Sequence, residues 1–160
     1  MPDIVAVRPR SLLDDALGAI REKSVDVKID EIIIGDLPDL VCKGEAYPVF
    51  KDALRELLNN SLESFEGYSP SRKPKITYIK LYPGDGFLNI NVADNGPGIP
   101  LEHRGEIFDP FFTTKGNDHQ GLGLSLARTA TREYGGDLVL SPSKPESGSS
   151  FLLKLPVYRN

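Results

Sequence analysis

The chain has 160 residues, 39% of them hydrophobic and 26% charged, with a formal net charge of −4. That is the size and composition of one globular domain that can bury a core without disulfides or metal. The acidic balance argues against a nucleic-acid-binding surface, which needs a basic excess or stripe.

Taken in chain order, Ser11 to Lys23 carries Leu12, Leu13, Ala16, Leu17 and Ile20 at helical spacing, and Ser11 is a suitable N-cap. Val25 to Ile34 is β-branched and alternates at first, which predicts a strand. Gly35 to Pro38 reads as a turn and Leu40 to Lys43 as a short strand. Cys42, the only cysteine, allows no internal disulfide and no zinc cluster; it reads as a small buried hydrophobe in a reducing, cytoplasmic setting.

Tyr47 to Phe65 is the strongest helix: Phe50, Leu54, Leu57, Leu58, Leu62 and Phe65 form one stripe. Ile76 to Leu81 and Phe87 to Val92 read as strands, with Pro83-Gly84-Asp85-Gly86 as the hairpin turn. Pro97 to Gly121 is a long connection with one short helix near Leu101 to Ile107. Leu122 to Tyr134 is a helix stopped by Gly135-Gly136, and Leu138 to Leu140 and Phe151 to Leu155 are strands. This order predicts an α+β fold. It is a two-layer α/β sandwich, a mixed and mostly antiparallel sheet covered on one face by helices. Residues 1–160 are expected to form a single domain. No apolar run reaches the ~18 residues of a membrane helix and no signal peptide opens the chain, so no membrane contact is expected of this domain. Met1 reads as the start of a fragment of something longer.

Four segments could carry chemistry. Glu56 and Asn60 lie four apart and share a helix face, with Glu63 one turn on. An Asn carbonyl suits Mg²⁺ on a nucleotide's phosphates, although the same spacing is also that of an ordinary wet face. Asp94-Asn95-Gly96-Pro97-Gly98-Ile99 follows a strand and offers an acceptor beside backbone that another molecule can approach; it is also the composition of a plain turn. Gly121-Leu122-Gly123-Leu124 opens a helix, where backbone N–H groups make an anion site, or where a loop simply becomes a helix. Between them, Phe108-Asp109-Pro110-Phe111-Phe112-Thr113-Thr114-Lys115 either plugs the loop onto the core or anchors a lid from which Lys115 reaches phosphate. A P-loop is excluded because Leu122 stands where its lysine belongs.

In this order and spacing the four blocks resemble the GHKL ATPases, and within them the catalytic ATP-binding domain of bacterial sensor histidine kinases. FDPFFTTK followed by GLGLSLAR is specific to these kinases, and the resemblance, closest to relatives of nitrogen-regulatory kinases, runs from Ser11 to Pro156. It implies ATP and Mg²⁺ as cofactors. Asn60 would hold Mg²⁺, and Asp94 would accept from the adenine amino group in a pocket shaped by Gly96, Gly98 and Ile99. A lid from about Pro100 to Gln120, including Phe112, Thr114 and Lys115, would order over ATP. The amides from Gly121 through Leu122 and Gly123 to Leu124 would meet phosphate, and Ser149 or Ser150 would support the adenine end.

Two positions depart from the family. Glu56 stands where many kinases have asparagine, and is expected to be a catalytic helper. Glu63 stands where many have lysine, which leaves Lys115 as the candidate for that charge. The implied partner is a histidine-bearing dimerisation domain, with a response regulator indirectly; the isolated domain is expected to be a monomer. His103 and His119 are not on a long amphipathic helix and read as lid residues rather than acceptors. An anti-sigma-type serine kinase of the same superfamily and a degenerate docking module are the alternative readings.

Overall fold

A computed structural model describes residues 3–20, 22, 26–68, 74–113, 123–142 and 148–157. Strand β1 (Ile4–Val7) leads into helix α1 (Pro9–Gly18), then β2 (Val27–Ile33), β3 (Leu40–Lys43) and α2 (Ala46–Glu63). β4 (Lys75–Gly84), β5 (Phe87–Asp94), α3 (Gly123–Glu133), β6 (Asp137–Leu140) and β7 (Ser150–Pro156) complete it. Five strands make one mixed sheet in the order β2-β4-β5-β7-β6, with β2 parallel to β4 and the other pairs antiparallel. β1 and β3 form a separate antiparallel pair.

Alternation along the strands dictates the layering, because successive side chains point to opposite faces. Ile79 and Leu81 of β4, Leu88, Ile90 and Val92 of β5, and Leu153 and Leu155 of β7 are all buried, and they share one core with Leu54, Leu57 and Leu58 of α2. Leu12, Leu13, Ala16 and Leu17 of α1 join the same core. Tyr47 Oη donates to Asp15 Oδ2 at 2.6 Å and ties α2 to α1. The two-layer sandwich expected from the element order is what forms.

Several boundaries differ from the sequence reading. α1 starts earlier than Ser11: Pro9 takes the first helical position behind Arg8, and no side chain caps the end. A proline there needs no N–H partner and presets φ, so the helix begins where proline allows. β1 is too short to show a period, and its pairing with β3 reveals it. The hairpin turn is Asp85-Gly86 alone, with φ of 54° and 82° at the two residues, while Pro83 and Gly84 still pair in the ladder. Two central residues with positive φ match the twist of the flanking strands. The short helix in the long connection covers only Leu101–His103. Cys42 is buried on β3 and burial pushes its thiol pKa up, as a small core residue should behave.

Candidate nucleotide site

The helix-stripe rule that buries Leu57, Leu58 and Leu62 leaves Glu56 and Asn60 half-buried on the flank of α2. Gly123, the first residue of α3, comes up against this flank so closely that a Cβ on it would run into the Glu56 carboxylate. Two segments 67 positions apart are thereby joined: the acidic flank of α2 and the N-terminus of α3. Leu124, next along α3, is half-buried against the core and keeps that helix end in place.

Asp94 ends β5 on the inward side and is 5% exposed. Its Oδ2 accepts from Ser149 Oγ at 2.8 Å, and its Oδ1 accepts from the Gly96 amide at 2.9 Å. Burial pushes its pKa up, opposed by the donors from Ser149, Gly96 and Ser61. Those donors offset part of the cost of burying the carboxyl group. Gly96 is confined as well: a Cβ would lie 2.6 Å from Ser64 Oγ and 2.9 Å from Asp94 Oδ1. Asn95 fixes the loop, accepting from the Ile76 amide and donating to the Pro74 carbonyl, both at 2.8 Å. Gly98 has a φ of 78°, left-handed backbone that suits glycine. Ile99 packs half-buried against the core, and its carbonyl accepts from Arg104 Nε at 3.3 Å.

Of the residues singled out from sequence, Glu56 and Asn60 lie on the second half of α2, Asp94 at the end of β5, Gly96, Gly98 and Ile99 in the loop that follows, Gly123 and Leu124 at the start of α3, and Ser149 just before β7. Phe112 is half-buried with its ring 5.3 Å from that of His103. Thr114, Lys115, Gly121, Leu122 and His119 lie outside the described residues. Three contributors were not legible in the chain. Gly148 (φ 84°) packs so tightly that a Cβ would overlap the Asp94 carbonyl. Ser61 and Thr77, 3% and 1% exposed, share a hydrogen bond of 2.7 Å. Thr77 sits directly across the ladder from Asp94. A hydroxyl among apolar residues at helical spacing was the available signal for Ser61.

Among the described residues no group of three or more His, Cys, Asp and Glu side chains could hold a metal. A cation here would draw on the Asn60 carbonyl oxygen and take its other ligands from a bound phosphate and water, as Mg²⁺ commonly does. The donor set fits that ion with a nucleotide and does not fit a metal held by protein alone.

The two-layer sandwich, with an acid–asparagine helix flank facing a glycine-opened helix and a buried aspartate at one strand end, is the architecture of the GHKL ATPases. Residues 48–159 match the family described as histidine kinase-, DNA gyrase B- and HSP90-like ATPases, and the chain belongs to that family. It is similar to the adaptive-response sensory kinase SasA of Rippkaea orientalis (strain PCC 8801 / RF-1), 31% identical over 153 residues, covering 94% of this chain and 36% of that protein. Against the signal transduction histidine-protein kinase AtoS of Escherichia coli (strain K12) it is 30% identical over 149 residues, covering 92% of this chain and 23% of that one. The chain thus spans between 23% and 36% of the length of these two relatives.

Among solved structures, a nucleotide-free form of the catalytic domain of histidine kinase ThkA matches with a TM-score of 0.75 and 25% identity, over 97% of this chain and 98% of that one. The mycobacterial sensor histidine kinase MprB shares the fold, with a TM-score of 0.76 and 23% identity over 98% of this chain and 97% of its own. The chain is a histidine kinase ATPase domain of the two-component sensor kinase type. No described helix is long and apolar enough to cross a membrane.

Proposed function

We propose that the chain binds Mg-ATP and presents its γ-phosphate to a histidine on a separate dimerisation domain, from which a response regulator is then served. The observation that carries this reading is the buried Asp94 carboxylate, held by Ser149 and Gly96 at the end of β5. A buried carboxyl group fixed in place by oriented donors is an acceptor aimed at an amino group, and the adenine amino group is the one the family's nucleotide offers. Asn60 contributes a hard oxygen to the ion, and Mg²⁺ when bound neutralises charge on the phosphates. Glu56, one turn before Asn60, orients the attacking group. The start of α3 at Gly123 and Leu124, together with Gly121 and Leu122, directs backbone amides at phosphate. Lys115 and Thr114 serve the same charge from the lid. Catalysis by such a domain is positioning and electrostatics, with little covalent work by its own side chains.

His103 packs against Phe112 in the connection after β5, ring centroids 5.3 Å apart and planes tilted by 47°, which suits a lid residue and not a phosphoacceptor. On this reading the isolated chain does not phosphorylate itself; it is a monomer, part of the cytoplasmic portion of a parent kinase. The test is calorimetric titration of ATP with and without Mg²⁺. Asp94→Ala should weaken binding by roughly 10- to 150-fold, the loss expected for a hydrogen bond to a charged group. Asn60→Ala should chiefly erase the Mg²⁺ dependence. Absence of ATP binding by the unmutated chain would overturn the reading.

A further inference from the structure

A cavity of about 250 Å³ lies at the far ends of α2 and α3 from the nucleotide site. The two helices run antiparallel. Gly123 at the start of α3 abuts Glu56 in the second half of α2. Tyr134, just past the end of α3, meets Phe50 in the first half of α2 edge-on, with ring centroids 6.3 Å apart and planes at 85°. Each helix therefore has one end at the nucleotide site and the other at this cavity, where β3 supplies a further wall.

The lining divides by burial. Cys42, Ala46 and Phe50 are 5%, 2% and 1% exposed and make an apolar interior, with Tyr134 half-buried beside them. Burial pushes the Cys42 thiol pKa up, which keeps that group neutral. An apolar cavity of about 150 Å³ already admits benzene, so this one has room for a side chain of leucine or phenylalanine size. Lys43 and Glu133 line the same cavity and are exposed, which puts their charges at its mouth. The two are of opposite sign, yet neither forms an ion pair with the other or with any other described residue.

The helix ends repeat this polarity. Partial positive charge collects at a helix N-terminus and partial negative charge at its C-terminus. Ala46 is the first residue of α2, and the N-cap, Glu45, makes no side-chain capping bond and does not line the cavity. Glu133 is the last residue of α3, and the basic residue of that turn, Arg132, is engaged by Asp137 at 2.8 Å. The Lys43 side of the cavity is thus positive in side chain and backbone alike, and the Glu133 side negative in both.

We propose that this cavity binds a free apolar α-amino acid. Its carboxylate meets Lys43 and the start of α2, its ammonium meets Glu133 and the end of α3, and its side chain packs on Phe50 and Tyr134. An anion or a cation alone would leave one of the two charges unanswered, and a zwitterion without a side chain would leave the interior unfilled. The site is separate from the nucleotide site and does not depend on that reading.

The experiment titrates L-phenylalanine and L-leucine into the chain and follows NMR chemical shifts. Three analogues run beside them: 3-phenylpropanoate without the ammonium, 2-phenylethylamine without the carboxylate, and glycine without the side chain. Both amino acids should bind, with shifts centred on Phe50 and Tyr134, and each analogue should bind at least about fivefold more weakly. Lys43→Met should weaken L-phenylalanine by a similar factor and leave 2-phenylethylamine unchanged. Glu133→Gln should weaken L-phenylalanine and leave 3-phenylpropanoate unchanged. Both positions are exposed, where substitution has little effect on stability. L-phenylalanine should still bind with ATP present in excess. No binding of either amino acid at about 10 mM, equal binding of the analogues, variants that weaken every ligand alike, or displacement by ATP would overturn the site. A chain that binds the amino acid but not ATP would overturn the nucleotide reading alone.

Discussion

The carbonyl of Asp94 occupies the space where a side chain on Gly148 would begin. These residues are 54 positions apart, yet the glycine's left-handed backbone (φ 84°) lets Gly148 lie directly against the end of β5. That closure brings the Ser149 hydroxyl within 2.8 Å of Asp94 Oδ2. Gly148→Ala would meet both a backbone strain and a backbone collision, neither relieved by rotating a side chain. It should destabilise the domain by about 2–4 kcal/mol in urea unfolding. A loss below about 1 kcal/mol would mean that the approach of these segments is looser than the structure has it.

Asp94→Asn should separate stability from binding. Burial raises the Asp94 pKa, so in the window between the ordinary aspartate value and the raised one the folded chain holds more protons than the unfolded chain. Its contribution to stability therefore falls as pH rises through that window and stays low above it. Asparagine keeps the shape without the charge. The variant's unfolding midpoint, compared with the unmutated chain, should gain ground as pH rises and then level off. ATP affinity should fall by roughly 10- to 150-fold, because the Gly96 amide holds the carbonyl oxygen at the Oδ1 position and the NH₂, in place of Oδ2, can no longer accept a hydrogen bond. Midpoints measured at a series of pH values, beside calorimetry at neutral pH, check both halves.

Glu56→Gln should leave ATP affinity within about threefold and slow phosphoryl transfer to a supplied dimerisation domain by about 10²-fold or more, the usual scale for a lost acid–base helper. Transfer at an unchanged rate would remove Glu56 from the chemistry and leave it as the neighbour that requires glycine at position 123.

The Ser61–Thr77 pair offers a stability test of a different kind. Each hydroxyl is buried and the two are 2.7 Å apart. Ser61→Ala strands the Thr77 hydroxyl and removes a donor from Asp94, and should cost about 1–3 kcal/mol. Adding Thr77→Val removes the stranded group, so the double variant should cost clearly less than the sum of the two single ones. Additive losses in urea unfolding would show that the hydroxyls do not depend on each other.

Elements long enough to show a period are legible in the chain alone. The stripe from Phe50 to Leu62 specifies a helix with one buried face, and that puts Glu56 and Asn60 on its flank. Alternation in Ile76 to Leu81 and Phe87 to Val92 specifies a hairpin in a half-buried sheet. The four motif blocks point to the family because few folds need all of them in that order and at that spacing. What depends on pairing between distant segments emerges only in the folded molecule. β1 is four residues long and exists because β3 pairs with it. Gly148 resembles any loop glycine until the end of β5 lies against it. Ser61 becomes part of the Asp94 environment only when the ladder brings Thr77 beside it. Arg128 is one more polar residue on a helix until Phe108 folds over it. Periodicity is a local property, carried by residues within one or two turns of each other. The closeness of Gly148 to Asp94, or of Arg128 to Phe108, is set by how the sheet and helices pack, and no local pattern records it.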